Sequence, residues 1–577
     1  MKVPKADYPL SPVQTIASFE DMLRQSKDRF GSALALQDLS SRPVSRLSYD
    51  ELLDGVLKFG AALQSLGLRE REHIALISES RVQWGLAYLA ATIFNYVVIP
   101  IDSKLKENEI VKILHASDAR AAVFSESYRD MFAEFRSSIP EMHCLIDMDL
   151  EEQSNGILSM TELLRKAPAE IPAERLPKVQ TEEVSVIVFT SGSMGNAKGV
   201  MLSQKNICTN IMDMRRMVQL FPTDRFLSVL PIHHTYECTC GLLCPLSAGC
   251  SVHYARSLKT VVEDMKRVRP TMLLGVPLLY EKMFRRITAG IREKKMTAAL
   301  VPTLRSLSGF LETLGIEEVR RRIFSEIHEK FGGSIRLFIA GGAAVDPKTA
   351  RGLRSFGFSF LQGYGLTETS PILAVNRPRR FKDEAAGLPL PSLEVRIADP
   401  DEHGRGEIVA RGPSVMLGYY KNEKATREVL KDGWFRTGDI GFLDADGFLH
   451  ISGRKKNVIV ARNGENVYPE ELEEKILKIP FVLESVVLGS RSREGDEEIQ
   501  AVVVPNAEKF IEYSREENCE LNKALVEKVI MEEIRKLNRT LPGHQVIRKV
   551  EIREQEFEKT TTQKIKRYLL HQEDSTH

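Results

Sequence analysis

Short apolar runs recur along this chain with helix-length stretches between them, and that alternation is the strongest constraint on its fold. The runs fall at 73–78, 121–124, 185–189, 226–230, 271–276 and 335–340. Apolar runs this short, bounded by polar residues, suit strands buried on both faces. Strands alternating with helices predict a layered α/β architecture with largely parallel sheets. Residues 15–70 read as helix around polar turns. Residues 86–101 read as a buried helix passing into a buried strand, and Asn95 and Pro100 keep them short of the roughly 18 apolar residues of a membrane span. The charged stretch 284–330 reads as a surface helical excursion.

A chain of 577 residues is too long for one core. After Arg380, Gly and Asp become frequent and short β-like runs appear at 393–397, 407–410 and 448–452, which predicts a small antiparallel unit. Pro469 suits the first turn of a helix, and the runs 485–489 and 499–504 read as a hairpin. The expected division is a large domain over 1–453 and a small mobile α+β domain over 454–577.

The run Val186-Ile187-Val188-Phe189 leads straight into Thr190-Ser191-Gly192-Ser193-Met194-Gly195-Asn196-Ala197-Lys198-Gly199. A strand feeding a loop of hydroxyls, glycines and one lysine sets N–H, O–H and ammonium groups around an anion, and glycine lets backbone approach phosphate oxygens. A polyphosphate is the ligand this implies. The spacing is not that of a Walker loop, because five residues separate Gly192 from Lys198 and Gly199 follows the lysine. Taken alone, the segment also fits a Gly/Ser turn after a buried strand.

The loop resembles the pyrophosphate-contacting segment of the adenylate-forming superfamily, which includes acyl-CoA synthetases, luciferases and peptide-synthetase adenylation domains. Ser193, Met194 and Ala197 stand where that family usually has Thr, Thr and Pro. Further segments resemble the same family in the same order. In Gln362-Gly363-Tyr364-Gly365-Leu366-Thr367-Glu368, Tyr364 offers a flat face to a purine, Thr367 a hydroxyl to an α-phosphate or carboxylate, and Glu368 a hard oxygen ligand for Mg2+. Asp439, in Trp434-Phe435-Arg436-Thr437-Gly438-Asp439, can accept both ribose hydroxyls, and Arg454 can donate to ribose or phosphate. Gly341, Gly342 and Ala343 leave room for adenine. Leu230-Pro231-Ile232-His233-His234 resembles the family's Leu-Pro-x-x-His, which implies a place for His234 between nucleotide and acyl group and gives His233 no role. Near the end, Lys559-Thr560-Thr561-Thr562-Gln563-Lys564-Ile565 resembles the mobile-lysine motif, with Glu558 and Gln563 where Pro and Gly are usual. The other reading of this tail is a solvated basic segment built on Lys559, Lys564, Lys566 and Arg567.

The resemblance spans roughly residues 45–570 and leans to the long-chain fatty acyl-CoA synthetase branch. It implies ATP, Mg2+ bound through Glu368, a fatty acid, and coenzyme A or an acyl carrier protein as acceptor. It also implies Lys456 as a hinge and Arg462, Asn463 and Gly464 as the segment facing coenzyme A. Two rivals are kept: a non-catalytic nucleotide- or acyl-binding protein, which the departures at Met194, Ala197 and Gln563 would favour, and a luciferase-like oxygenase, for which the sequence shows nothing specific.

Composition fits these readings. The formal charge of +1 provides no basic field for nucleic acid. The first residues lack the apolar core of a secretory signal. Seven cysteines, with Cys238, Cys240, Cys244 and Cys250 close together, match neither a disulfide framework nor paired zinc spacing and read as small buried hydrophobes. A cytoplasmic location is expected, with peripheral membrane contact left open. Nothing in the sequence speaks to oligomeric state.

Overall fold

The computed structural model describes residues 9–190, 197–293, 321–461, 465–491, 497–559 and 565–570. They form two compact units. The first comprises Met1–Val395, Ala410–Phe435 and Ala445–Leu449, and the second Arg396–Val409, Arg436–Asp444 and His450–His577.

The first unit holds two large sheets. One has nine strands in the order Leu388–Pro389, Ile372–Val375, Ser359–Gly365, Leu337–Ala340, Met272–Gly275, Arg225–Ser228, Ser251–Tyr254, Leu34–Asp38, Ser45–Ser48. Its middle six strands pair in parallel and its edges antiparallel. The other has eight strands in the order Gly418–Tyr419, Lys198–Ser203, Val184–Thr190, Val97–Pro100, His73–Ile77, Ala119–Phe124, Cys144–Asp147, Leu158–Ser159. It is parallel from Val184–Thr190 onward and antiparallel at the other edge.

The apolar runs became strands because both of their faces are covered. Ile74, Ala75, Leu76 and Ile77 are all buried, as are Met272, Leu273 and Leu274. One core packs Leu273, Phe338, Phe360, Tyr280 and Phe356 around the nine-stranded sheet, and another packs Ile77, Ile99, Phe124, Phe132 and Ile187 around the eight-stranded one. The expected passage at 86–101 is helix Val82–Ile93 followed by strand Val97–Pro100.

The helical reading of 15–70 is corrected. Two helices, Phe19–Phe30 and Tyr49–Ser65, flank an antiparallel strand pair, Leu34–Asp38 and Ser45–Ser48. The strands carry polar residues satisfied within the fold. Asp38 Oδ1 accepts from the N–H and hydroxyl of Ser40 at 2.8 and 2.6 Å, and the Gln37 amide lies 2.7 Å from His253 Nδ1. Within 284–330, helix Pro277–Glu293 and helix Ser325–Lys330 are present, and 294–320 lies outside the described residues.

In the second unit, Val482–Arg491 and Glu497–Pro505 pair antiparallel, as the hairpin reading requires, and Lys549–Ile552 adds in parallel. Pro469 opens helix Pro469–Ile476. Leu472, Ile476, Val487, Val503 and Ile530 form its core. The described cysteines are free; six of the seven are buried and Cys519 is half-buried. Among the described residues, no helix is long and apolar enough to cross a membrane.

Candidate functional site

The phosphate-type loop connects a hairpin. Strands Val184–Thr190 and Lys198–Ser203 run antiparallel with Thr190 opposite Lys198, and the Thr190 hydroxyl reaches the Lys198 carbonyl at 3.4 Å. Ser191, Gly192 and Ser193 lie outside the described residues, so the base of the loop is what the structure supplies. Lys198 turns its ammonium over the ring of Tyr419, 4.9 Å from the centroid. The Tyr419 hydroxyl donates to Glu368 Oε1 at 2.9 Å. The backbone N–H of Met416 donates to the Glu368 carbonyl at 2.9 Å. One tyrosine thus joins the proposed phosphate lysine to the proposed metal ligand.

Tyr419 gets there because Gly418–Tyr419 is a two-residue strand on the edge of the hairpin, paired with Met201 and Val200. Sequence reasoning missed it. Its only local signal is the apolar run before it, which points to no chemistry.

The helix after the hairpin, Gln204–Met217, holds the rest of this region in place. Ser203 and Asn206 form a capping box at its start. Asn206 Nδ2 donates to the carbonyls of Pro413 and Val415 at 2.7 and 3.0 Å. Asn210 Nδ2 donates to those of Thr369 and Ile372 at 3.1 and 2.8 Å. Asp213 accepts from the Ser392 N–H at 2.9 Å and hydroxyl at 3.0 Å. These three residues share one helix face and are buried. Asn210 fixes the segment just past Thr367 and Glu368, while Asn206 and Asp213 hold the neighbouring chain at 413–415 and Ser392; all three went unread in the sequence, where polar residues on a helix suggest a solvated face.

Strand Ser359–Gly365 ends in the expected nucleotide segment, and Thr367–Thr369 is a single tight turn. Gly365 is required by close approach: a Cβ there would lie 1.9 Å from the Pro371 carbonyl oxygen. Tyr364, Thr367 and Glu368 are half-buried. Gln362 is buried, and its amide donates to the carbonyls of Asp383 and Ala385 at 2.8 and 2.7 Å. Gly341 follows strand Leu337–Ala340, where a Cβ would lie 2.8 Å from Tyr236 Cζ; Gly342 has φ +89°, and Ala343 is exposed.

A narrow apolar cavity of about 50 Å³ adjoins these strand ends. Gly341 and Gly363 line it together with Tyr236, Met214, Phe226, Cys240, Cys244, Met272 and Val375. Tyr236 and Cys240 belong to a π-helix, Tyr236–Leu243. The same π-helix buries Glu237, whose carboxyl is pushed up to about 7 by loss of solvent, with Ser228 drawing it back.

His234 is half-buried, and its ring lies 4.1 Å from that of His233. His233 is buried, with Nε2 3.5 Å from Asp102 Oδ2.

In the second unit, Asp439 and Arg454 pair, with Nε and Oδ1 2.7 Å apart; the carboxylate is buried and the guanidinium half-exposed. Gly438, at φ +71°, turns the chain so that its N–H reaches Glu407 Oε1 at 3.2 Å. Lys456 lies in the turn Lys455–Asn457. Loss of solvent, then Arg454 and Arg567, lower its pKa below the usual lysine range. Arg462, Asn463, Gly464 and Lys564 lie outside the described residues. The flanks of Lys564 are described. Lys559 and Ile565 form an antiparallel bridge, and the Lys566 N–H donates to the Glu558 carbonyl at 2.8 Å. Ile565 packs against Val486, Val502 and Phe557. Lys559 pairs with Glu484, and Arg567 pairs with Glu473. The solvated-tail reading therefore fails for Lys559 and Arg567.

Comparison with known proteins accords with this picture. The family model described as AMP-binding enzyme matches residues 23–420, and that of the AMP-binding enzyme C-terminal domain matches 456–573. The long-chain-fatty-acid–CoA ligase FadD15 of Mycobacterium tuberculosis is 29% identical over 443 residues, covering 74% of this chain and 72% of its own. The chloroplastic long-chain-fatty-acid–[acyl-carrier-protein] ligase AEE15 of Arabidopsis thaliana is 28% identical over 578 residues, covering 88% and 78%. The fold matches that of ATP-bound MatB from Rhodopseudomonas palustris, with a TM-score of 0.76 at 23% identity over 96% of this chain and 99% of that one. A large N-terminal and a smaller C-terminal domain with the adenylate-forming fold, read with the family match, lead to one statement: this chain belongs to the AMP-binding enzyme family.

Proposed function

We propose that this chain joins a long-chain fatty acid to AMP at the expense of ATP, releasing pyrophosphate, and then passes the acyl group to coenzyme A. The observation that carries this is the narrow apolar cavity beside Gly341 and Gly363, which sets an uncharged lining directly against the segment that resembles a nucleotide site. The relatives named as long-chain fatty acid ligases support the same substrate class.

The chemistry follows from the leaving group. A carboxylate would have to expel oxide to acylate a thiol. Attack on the α-phosphate of ATP makes that oxygen part of AMP, which leaves readily. Charge that accumulates as pyrophosphate departs needs preorganised donors. Thr190, Ser191, Gly192, Ser193 and Lys198 supply these around the β- and γ-phosphates. Thr367 donates to the α-phosphate or carboxylate. Glu368, a half-buried carboxylate held by Tyr419, suits a hard cation, and Mg2+ bound there would neutralise phosphate charge. Gly341, Gly342, Ala343, Gln362, Gly363, Tyr364 and Gly365 frame adenine, and Asp439 and Arg454 take the ribose. His234 stands toward the acyl carboxylate. Lys564 bridges carboxylate and α-phosphate, orienting both. Lys456 acts as the hinge of a mobile domain beginning near Arg454, and Arg462, Asn463 and Gly464 face coenzyme A.

The relative named as an acyl-carrier-protein ligase favours a second acceptor, holo acyl carrier protein. A fatty-acid panel scored by AMP release decides both points. Release that grows with chain length and turns over only with coenzyme A, or only with carrier protein, supports the proposal and names the acceptor. No AMP release at any chain length contradicts it and favours a non-catalytic binder.

A further inference from the structure

Asp102, His233 and His234 are brought together from two sheets. Asp102 lies just past strand Val97–Pro100 of the eight-stranded sheet, and the histidines lie just past strand Arg225–Ser228 of the nine-stranded one. Val98 pairs in parallel with Val186, so the chain emerges toward Asp102 at the edge where its neighbour ends in Thr190. Such crevices beyond the carboxyl ends of parallel strands are where α/β sheets bind ligands.

One ligand atom from each of the three residues lies within 4.8 Å of the others. Two further observations point to a cation there. His233 is only 5% exposed, yet its Nε2 has no hydrogen-bond partner among the described residues. A nitrogen buried in this way costs free energy unless something binds it. Asp102 Oδ2 lies 3.5 Å from it, beyond the roughly 2.7–3.2 Å of a good N–H···O bond. Two ligands about 2.1 Å from a tetrahedral Zn2+ stand about 3.4 Å apart. The spacing is long for a hydrogen bond and right for two corners of a metal tetrahedron. The other oxygen, Asp102 Oδ1, accepts from the Lys104 N–H at 2.9 Å, which orients the carboxylate with Oδ2 toward the histidine.

We propose that Asp102, His233 and His234 form a site for one borderline-soft divalent cation of the Zn2+ type, with the fourth position open. Two imidazoles and one carboxylate select such an ion over Mg2+, which prefers six oxygens. Filling the site would immobilise His234.

Co2+ substitution tests this without relying on any reaction, so its outcome is separable from that of the ligase proposal. The full-length protein, stripped by a chelator, is titrated with Co2+ and followed by visible absorption. The expected result is one equivalent bound with the intense band of four-coordinate Co2+, displaced by Zn2+, and at least about tenfold weaker binding in both Asp102→Asn and His233→Ala. Failure of the wild-type protein to take up one equivalent overturns the proposal. So does an unchanged band in Asp102→Asn, the milder variant, which decides the matter if His233→Ala does not fold. As a second readout, Zn2+ raises the Tm of the wild type by more than that of Asp102→Asn at the same concentration; an equal shift in both counts against the site.

Discussion

At the scale of single residues, Tyr419 is the least expected member of the candidate site and the easiest to test. Its hydroxyl orients the Glu368 carboxylate and its ring carries the Lys198 ammonium. Tyr419→Phe keeps the ring and removes only the hydroxyl. A hydrogen bond to a charged group contributes about 1.5–3 kcal/mol, so ATP–pyrophosphate exchange should fall about tenfold or more, with the KM for Mg·ATP rising and the Tm little changed. An exchange rate equal to wild type would show that Glu368 needs no such support. Tyr419 was illegible in the sequence because its partners lie 51 and 221 positions away. The glycines and hydroxyls of the loop were legible because their chemistry is contiguous. Asp102 and His233 illustrate the same difference. The histidine pair stood out in the sequence, but only the folding of two sheets supplies their carboxylate.

Elements were read well where burial alone defines them. Val184–Thr190 and Met272–Gly275 are covered on both faces, and their apolar runs say so. Leu34–Asp38 was hidden because Gln37 and Asp38 are buried with polar partners, a tertiary arrangement no local pattern records. The helix Gln204–Met217 is a similar case, since Asn206, Asn210 and Asp213 serve other segments. Asn210→Ala leaves the carbonyls of Thr369 and Ile372 without their donor. The expected cost is about 1–3 kcal/mol of stability, together with a fall in exchange activity as Thr367 and Glu368 lose their support. A loss of stability with full activity would separate the helix from the site.

On helix Pro469–Ile476, Glu473 accepts from the Val487 N–H at 2.6 Å and pairs with Arg567. Burial pushes its carboxyl up to about 7, although Arg567 draws it down. Because the folded pKa lies above the unfolded value, the folded state holds more protons between about 4.5 and 7, and this group's contribution to stability falls as pH rises through that window. Removing the cation leaves the buried carboxylate uncompensated, which costs about 3–5 kcal/mol. Thermal melts of Arg567→Ala should show the larger deficit at pH 8 and a smaller one at pH 5. Equal deficits at both pH values would mean that the pair does not titrate in this way.

At the scale of the whole molecule, the two sheets, the cavity and the family match describe one kind of enzyme, whose two half-reactions divide between different residues in the proposed mechanism. The layered α/β fold was legible beyond residue 70 because strand and helix alternate over hundreds of residues. The chain's weaving between the two compact units was not, since Arg396–Val409 and Arg436–Asp444 join the second unit only through folding. Lys564 is assigned to adenylation alone. Lys564→Ala should nearly abolish acyl-adenylate formation and spare thioester formation from preformed acyl-adenylate, as measured by supplying that intermediate with coenzyme A. Equal loss of both steps would remove the assignment.

The central claim is that the carboxylate oxygen of a fatty acid attacks the α-phosphate of ATP. Turnover of palmitate labelled with 18O in both carboxyl oxygens, with mass spectrometry of the nucleotide product, reads that bond directly. One labelled oxygen per molecule of AMP, with none in pyrophosphate, is the predicted result. Unlabelled AMP, or ADP accompanied by labelled phosphate, would contradict it.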